Sequence, residues 1–316
     1  MLPLKINTGI FFLVLLFAGC FKERRSVRAR NKMQEFVIDI SRYARQYDPD
    51  FIIIPQNGPE LAFDGLDPEE GIHSDYLSAI DGFGMEEVFY NGEASTDNER
   101  LSMLRELIHS KPILVSEFTN LDSNVHDAFE KNDAEGFTAF VRTANNYDYL
   151  RIPDSIHHEN SEDVTTLSQA RNFLYLISNE NFAEKQSMLS AIAATNYDLV
   201  LIDLFFDDTD FTKSELQSLK TKANGGNRLV IAYMNIGSAE KYRYYWNKSW
   251  GLHHPLWIKR RYEGYDDEFW VKFWRKEWQE IIYGNERSYT KKIIDAGFDG
   301  AYLDNVEAYY FLYYRD

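Results

Sequence analysis

The stretch Gly297-Phe298-Asp299-Gly300-Ala301-Tyr302-Leu303-Asp304-Asn305 brings an acid and an amide to the end of a short apolar run. Gly297 closes a helix and the run after it reads as a strand buried on both faces, so Asp304 and Asn305 are the side chains the strand delivers at its end. In barrel enzymes that is the position that carries chemistry, where a carboxylate moves a proton or holds a ligand by charge and hydrogen bonding. Other apolar runs also end on a polar residue: Asn57, Glu117, Asp203 and Asn235. An open sheet needs such residues only at its switch point, whereas a barrel sends one from every strand to the same mouth.

Other reaction types find less support. No serine elbow is present, and Cys20 is the only cysteine, which argues against serine or cysteine hydrolase chemistry. His157-His158 and His253-His254 are adjacent pairs, and adjacent residues rarely ligate one ion, so they read as loop residues, and no metal or other cofactor is expected.

The elements that must position these side chains alternate helix and strand, the pattern of a parallel sheet covered by helices. Phe36, Val37, Ile40, Tyr43, Ala44 and Tyr47 share a helical face, and Asp48-Pro49 ends that helix before the strand at 51–57. Thr96 to Glu99 reads as a capping box for a helix burying Leu101, Leu104, Leu107 and Ile108, followed by a strand at 113–118. Thr212 to Glu215 caps a further helix, Gly225-Gly226 ends it, and a strand at 229–235 follows. With runs at 79–89, 173–177, 199–203 and 301–304 the count reaches seven, and the eighth is either 270–274 or 149–152. The expected fold is α/β, a TIM (β/α)8 barrel within one domain at 33–316.

The first 32 residues differ from the rest. Lys5, the apolar run 10–18 and then Gly19-Cys20 form a signal-like leader too short to span a bilayer, and Phe17-Ala18-Gly19-Cys20 resembles a bacterial lipobox. The expectation is a signal peptide at 1–20, lipidation at Cys20, a polar tether at 21–32, and a lipid anchor holding the protein in the bacterial cell envelope, facing the periplasm or in the outer membrane. A lone cysteine at the cleavage point of a secreted chain serves lipidation better than it serves folding. The chain carries a net charge of −16. Seven basic residues against one acid in 1–32 leave 33–316 at −22, a surface that repels nucleic acid and suits a cationic ligand.

Residues 172–206, 224–240 and 297–310, and with them 36–58 and 79–90, resemble the glycoside hydrolase family 114 superfamily, the endo-α-1,4-polygalactosaminidase-like barrels, some of which carry a cysteinyl-tRNA synthetase-related label. Adenylate-binding signatures of a synthetase are absent. In most relatives the segments resembling 36–58 and 79–90 come after the strand that bears the catalytic aspartate. Here they come first, which implies a circularly permuted strand order, tolerated where the original ends lie close together.

The resemblance implies Asp304 as nucleophile and Glu86 as acid/base, with the adjacent Glu87 as the alternative, since alternation along a strand lets only one of the two face the mouth. Glycosidic cleavage needs such a pair, about 5–5.5 Å apart for retention and about 6.5–9.5 Å for inversion. Gln56, Asn57, Glu117, Asp203 and Asn235, together with Tyr90 and Asn305, are the expected substrate-binding residues, with Asp203 or Glu117 suited to a protonated 2-amino group. Glu240 is expected to orient the loop after Asn235. Most of the aromatic residues between Tyr242 and Trp278 are expected to be packing, with one or two facing the cleft. Relatives often have an acid where Arg275 stands, a departure that argues against a substrate contact there. The substrate implied is an amino sugar-containing polysaccharide and the expected state a monomer. The alternatives are a non-catalytic glycan-binding lipoprotein on the same barrel, and a swapped dimer in which each chain completes the other's barrel.

Overall fold

The computed structural model describes residues 27–143 and 149–313; the leader and Cys20 lie outside the described residues. Eight parallel strands form the frame: β1 (Ile52–Pro55), β2 (Phe83–Ala94), β3 (Ile113–Thr119), β4 (Thr138–Arg142), β5 (Phe173–Leu176), β6 (Leu199–Asp203), β7 (Leu229–Asn235) and β8 (Gly300–Asp304). Their residues are almost all buried, as two-sided burial of a parallel sheet requires. Helices α1 (27–44), α2 (Asn98–Leu107), α3 (Val125–Glu135), α4 (Lys185–Ala193), α5 (Lys213–Leu219) and α6 (Tyr289–Ala296) connect and cover them. The capping box at Thr212 and Glu215 opens α5 as read from sequence, whereas α2 starts on Asp97 alone, whose carboxylate accepts from the N–H groups of Glu99 and Arg100. Among the described residues no helix is long and apolar enough to cross a membrane.

The strands pair in the order β5, β6, β7, β8, β1 in one sheet and β2, β3, β4 in another. The first strand lies beside the last, Ile52 opposite Gly300 and Pro55 opposite Leu303. A parallel bridge between Gln56 and Gly84 carries the order on from β1 to β2. Gly84 is required there, because a Cβ would stand 2.0 Å from the hydroxyl of Tyr302. At the other end β4 lies against β5, and Thr138 Oγ1 donates to the carbonyl of Ala170 at 3.3 Å. The backbone ladders therefore make a five-stranded and a three-stranded parallel sheet, not one hydrogen-bonded closed ring.

Three sequence expectations are corrected. The eighth parallel strand is β4, a short Thr-Ala-Phe-Val-Arg run, and neither of the two stretches proposed for it. Glu268–Val271 instead belongs to an antiparallel sheet with Ser238–Glu240 and Ile258–Arg261 that packs over the end of β7. The strand read at 79–89 starts later, with β2 at Phe83, because Ala79 is the last residue of a short helix, Ser74–Ala79. Residues 27–32, assigned above to the tether, are helical, and Ala29 and Met33 are buried, because the apolar face of α1 extends through them onto the core.

Candidate active site

Asp304 ends β8 and Glu86 lies in β2, with β1 between them. Each carboxylate is followed or faced by an asparagine in a left-handed conformation, Asn305 at φ 61 and Asn57 at φ 61, a backbone state that asparagine tolerates better than most residues. Asp304 accepts the backbone N–H of Asn305 at 2.7 Å and the hydroxyl of Tyr233 at 2.5 Å. Glu86 accepts the side-chain amide of Asn57 at 3.2 Å and the hydroxyl of Tyr149 at 2.5 Å, while its own N–H donates to the Asn57 side chain at 3.1 Å. Neither carboxylate has a cation among these partners.

The backbone that presents Glu86 is irregular. Glu87 sits at φ 57, and the register between β2 and β3 jumps from Glu86 opposite Ser116 to Asn91 opposite Phe118. Such a bulge strands backbone groups, and specific side chains recover them. Arg100 donates to the carbonyls of Glu86 and Glu87 at 2.7 and 2.6 Å. Glu117 accepts the N–H groups of Phe89 and Tyr90 at 3.1 and 3.0 Å and the amide of Asn132 at 3.0 Å. Strand alternation is lost in the bulge. Glu87 pairs with Arg142 at 3.1 Å, and the Arg142 guanidinium lies 4.6 Å from the centre of the Tyr149 ring that binds Glu86. Glu86 and Glu87 thus reach the same cluster, and Glu87 is the one held by a cation.

Tyrosines form the floor. Tyr175 stacks on Tyr149 with centroids 3.7 Å apart, meets Tyr302 edge-on, and donates to Gln56 at 3.1 Å. Burial pushes the hydroxyls of Tyr149, Tyr175, Tyr233 and Tyr302 well above the usual phenol range, so all four stay protonated, and the first three serve as neutral donors. Burial first, and then the charge of Glu86, push Asp304 up to about 7 against the opposing hydrogen bond from Tyr233. The charge of Glu86 thus bears on the protonation of Asp304.

The other expected residues divide between the mouth and the frame behind it. Asn235 is buried and donates to Ser238 at 2.6 Å and to Glu268 at 2.9 Å. Asn305 accepts from Tyr262 at 3.1 Å and donates to Ser238 at 3.3 Å. Asp203 is held by Arg243 at 2.8 Å, and Arg243 also binds Glu240 at 2.7 Å, so Glu240 orients this loop through an ion pair. Glu117 is wholly buried beneath the bulge, and the Tyr90 hydroxyl turns to Asp127 on α3, so neither lies at the mouth. Their expected substrate contacts give way to support of the β2 backbone. Trp257, Trp270 and Trp278 are buried packing residues, as expected for most of that aromatic segment.

Sequence reasoning missed Tyr233, Tyr149, Arg142 and Glu268. Tyr233 and Tyr302 stand two residues before Asn235 and Asp304, so strand periodicity carried a signal for them. Tyr149 comes after β4 in an irregular segment and carried none. Glu268 accepts from Asn235 and Ser238, and burial followed by the charge of Glu240 raises its pKa.

Residues 160–316, which include Asp304 but not Glu86, match the family model described as glycoside-hydrolase family GH114. The chain is 31% identical over 138 residues to an uncharacterised protein of Thermotoga maritima, covering 44% of this chain and 39% of that one. It is 33% identical over 156 residues to an uncharacterised protein of Methanocaldococcus jannaschii, covering 48% and 41%. A protein of Deinococcus radiodurans, also uncharacterised, is 34% identical over 125 residues, with coverages of 39% and 38%. The matched region thus spans about two fifths of the length of these relatives. With a strand-end aspartate held by a tyrosine and an asparagine inside the matched region, the chain belongs to the glycoside hydrolase family 114 superfamily.

Proposed function

We propose that the protein is a glycoside hydrolase that cleaves an amino sugar-containing polysaccharide, of the galactosamine or N-acetylgalactosamine type, with Asp304 and Glu86 as its two carboxylates. The observation that carries this is that both acids end up in one cluster, each held by neutral phenol and amide donors, and that the charge of Glu86 reaches Asp304. A cavity of about 220 Å³ beside Asn57 supports a cationic sugar: Glu60, Asp97, Glu99 and Glu307 line it, with Arg100. Burial first, and then the charge of Glu60, push Glu307 up to about 8, and a protonated amine in the cavity would favour its ionised form.

In this reading the eight strands close as a (β/α)8 barrel. The cyclic succession of β1 to β8, with the Gln56–Gly84 bridge and the β4–β5 contact at its two junctions, supports closure. The pairing of the first strand with the last supports the circular permutation, since the front of the chain then supplies the strands that come after Asp304 in space. The lipidated Cys20 and the envelope location complete the proposal on the sequence pattern alone.

As nucleophile, Asp304 must be ionised, whereas Glu86 must deliver a proton to the leaving oxygen. With Asp304 raised to about 7, activity rises with pH through that value if Asp304 attacks, and falls through it if Asp304 is the proton donor. The test is a screen of the full chain against galactosamine and N-acetylgalactosamine polymers with Asp304→Asn as control. The full chain is needed because Ala29 and Met33 are part of the core. Reducing ends released by the wild type and not by the variant support hydrolysis. Retention of polymer without cleavage by either protein favours the glycan-binding reading.

A further inference from the structure

His157 and His158 lie in the segment between β4 and β5, and the function proposed above uses neither. Side chains of adjacent residues in extended backbone point to opposite sides. His158 instead sits at φ 54, which turns its ring toward that of its neighbour. Both Nε2 atoms meet one oxygen of Asp133, near the end of α3, at 2.8 and 3.0 Å. The donor atoms of the three residues all lie within 4.8 Å of one another. This is the acidic partner that sequence spacing does not reveal.

The cluster is held from several sides. The His157 ring stacks on Phe129 with centroids 4.1 Å apart. The carbonyl of His158 accepts the side-chain amides of Asn160 and Asn172 at 3.1 and 3.0 Å. Asn160 is bound in turn to Asp198, whose ion pair with Lys222 has no exposed side-chain surface. Packing and a buried polar network therefore fix the ring and the loop before any ligand arrives, and such pre-organisation is what a ligand site needs.

We propose that Asp133, His157 and His158 form a Zn2+ site that clamps α3 to the β4–β5 segment. Two imidazoles and one carboxylate, with a water in the fourth position, are a donor set that Zn2+ takes readily. Metal–ligand distances of about 2.0–2.1 Å in a tetrahedron put donor atoms about 3.3 Å apart, so binding asks the present contacts to open by only about 0.3–0.5 Å. Asp133 leads into the start of β4, and Asn172 stands immediately before β5, whereas Asp304 lies at the finish of its strand. The ion thus sits at the opposite edge of the sheet from Asp304 and acts on stability, not on the reaction.

The test is a calorimetric titration of the full chain, stripped of metal by a chelator, with ZnCl2, and a parallel titration with Co2+ read by its visible absorption. One ion is expected to bind with Kd of about 1 μM or below, with the Co2+ bands of a four-coordinate site. At about 100 times Kd, Zn2+ raises Tm by roughly 3–6 °C. Asp133→Asn and His158→Gln, both at exposed positions, weaken binding at least tenfold and remove the Tm shift, while His253→Gln changes neither. The proposal is overturned if the wild type binds no Zn2+ tighter than about 100 μM, which leaves two imidazoles hydrogen-bonded to one carboxylate. It is equally overturned if the Asp133→Asn, His158→Gln double variant binds as the wild type does.

Discussion

At the edge where the parallel strands begin, Asp81, Asp198 and Asp299 precede β2, β6 and β8. Each accepts a backbone N–H from the neighbouring strand or its approach, those of Ile53, Arg171 and Val230, all at 2.8 Å. Each also meets a cation, Arg45, Lys222 or Lys220, at 2.6–2.8 Å. At the edge where the strands finish, Asp304 and Glu86 are met instead by phenols and amides. The same residue type serves two ends. A cation beside a carboxylate at the first edge locks a strand through charge and hydrogen bonding, whereas burial with neutral donors leaves Asp304 able to gain or lose a proton near neutrality. The mouth also shows the boundary of this contrast, because Glu87 and Asp203, which have arginine partners, belong with the locking acids.

The largest effect separating the two ends is expected on turnover. Asp304→Asn and Glu86→Gln each lower kcat by about 10³-fold or more while the chain stays folded, as loss of a reacting carboxylate does. A loss below about tenfold in either breaks the contrast for that residue. At the opposite edge, Asp198→Asn leaves Lys222 buried without its counter-charge and costs about 3–5 kcal/mol in urea unfolding, with kcat per folded molecule unchanged.

Next comes the pH dependence of stability. The folded pKa of Asp304 is raised, so its contribution is fully present below the ordinary aspartate value of 3.8 and is lost as pH rises through about 7. Wild type therefore loses on the order of 2–4 kcal/mol relative to Asp304→Asn between pH 4 and pH 8, read by urea midpoints at each pH. Glu307 and Glu268 are raised in the same direction, so the variant keeps a residual slope. Parallel curves for the two proteins would remove Asp304 from the acids that titrate near neutrality.

A smaller effect is expected at Tyr233. Its hydroxyl stabilises the ionised form of Asp304, so Tyr233→Phe moves the Asp304 limb of the pH–rate profile upward, by about one pH unit for a lost hydrogen bond of roughly 1–1.5 kcal/mol. An unmoved profile would reduce Tyr233 to packing. The smallest effect is that of the exposed pair Lys241–Asp267, where Asp267→Asn changes stability by no more than about 0.5 kcal/mol and kcat not at all.

Much of this was legible from local pattern. Seven of the eight parallel strands are marked by apolar runs, because two-sided burial writes itself into consecutive residues. β4 escaped because its five residues include a threonine, an alanine and an arginine, too little apolar surface to mark a strand without its neighbours. Asp304 was legible from its place at a strand end, and Glu86 from its resemblance to a family motif. The bulge at Glu87 was not, since its stability comes from Arg100 and Glu117, which reach it from other elements. Glu117 looked like a mouth residue by the same strand-end rule that marked Asp304, and only the bulge explains why it is buried.

What the sequence by itself determined is the inventory: alternating helices and strands, polar residues at strand ends, a basic stretch at 1–32 before an acidic remainder, and the strand that carries Asp304. These are properties of segments, set by periodicity and propensity over a few residues. Which acids meet a cation was decided only by the tertiary structure. Arg243 against Asp203, Arg142 against Glu87, and Tyr149 against Glu86 join residues 40 to 63 positions apart. A carboxylate's protonation depends on burial and on the charges and donors around it, and those neighbours are assembled by packing, not by adjacency along the chain.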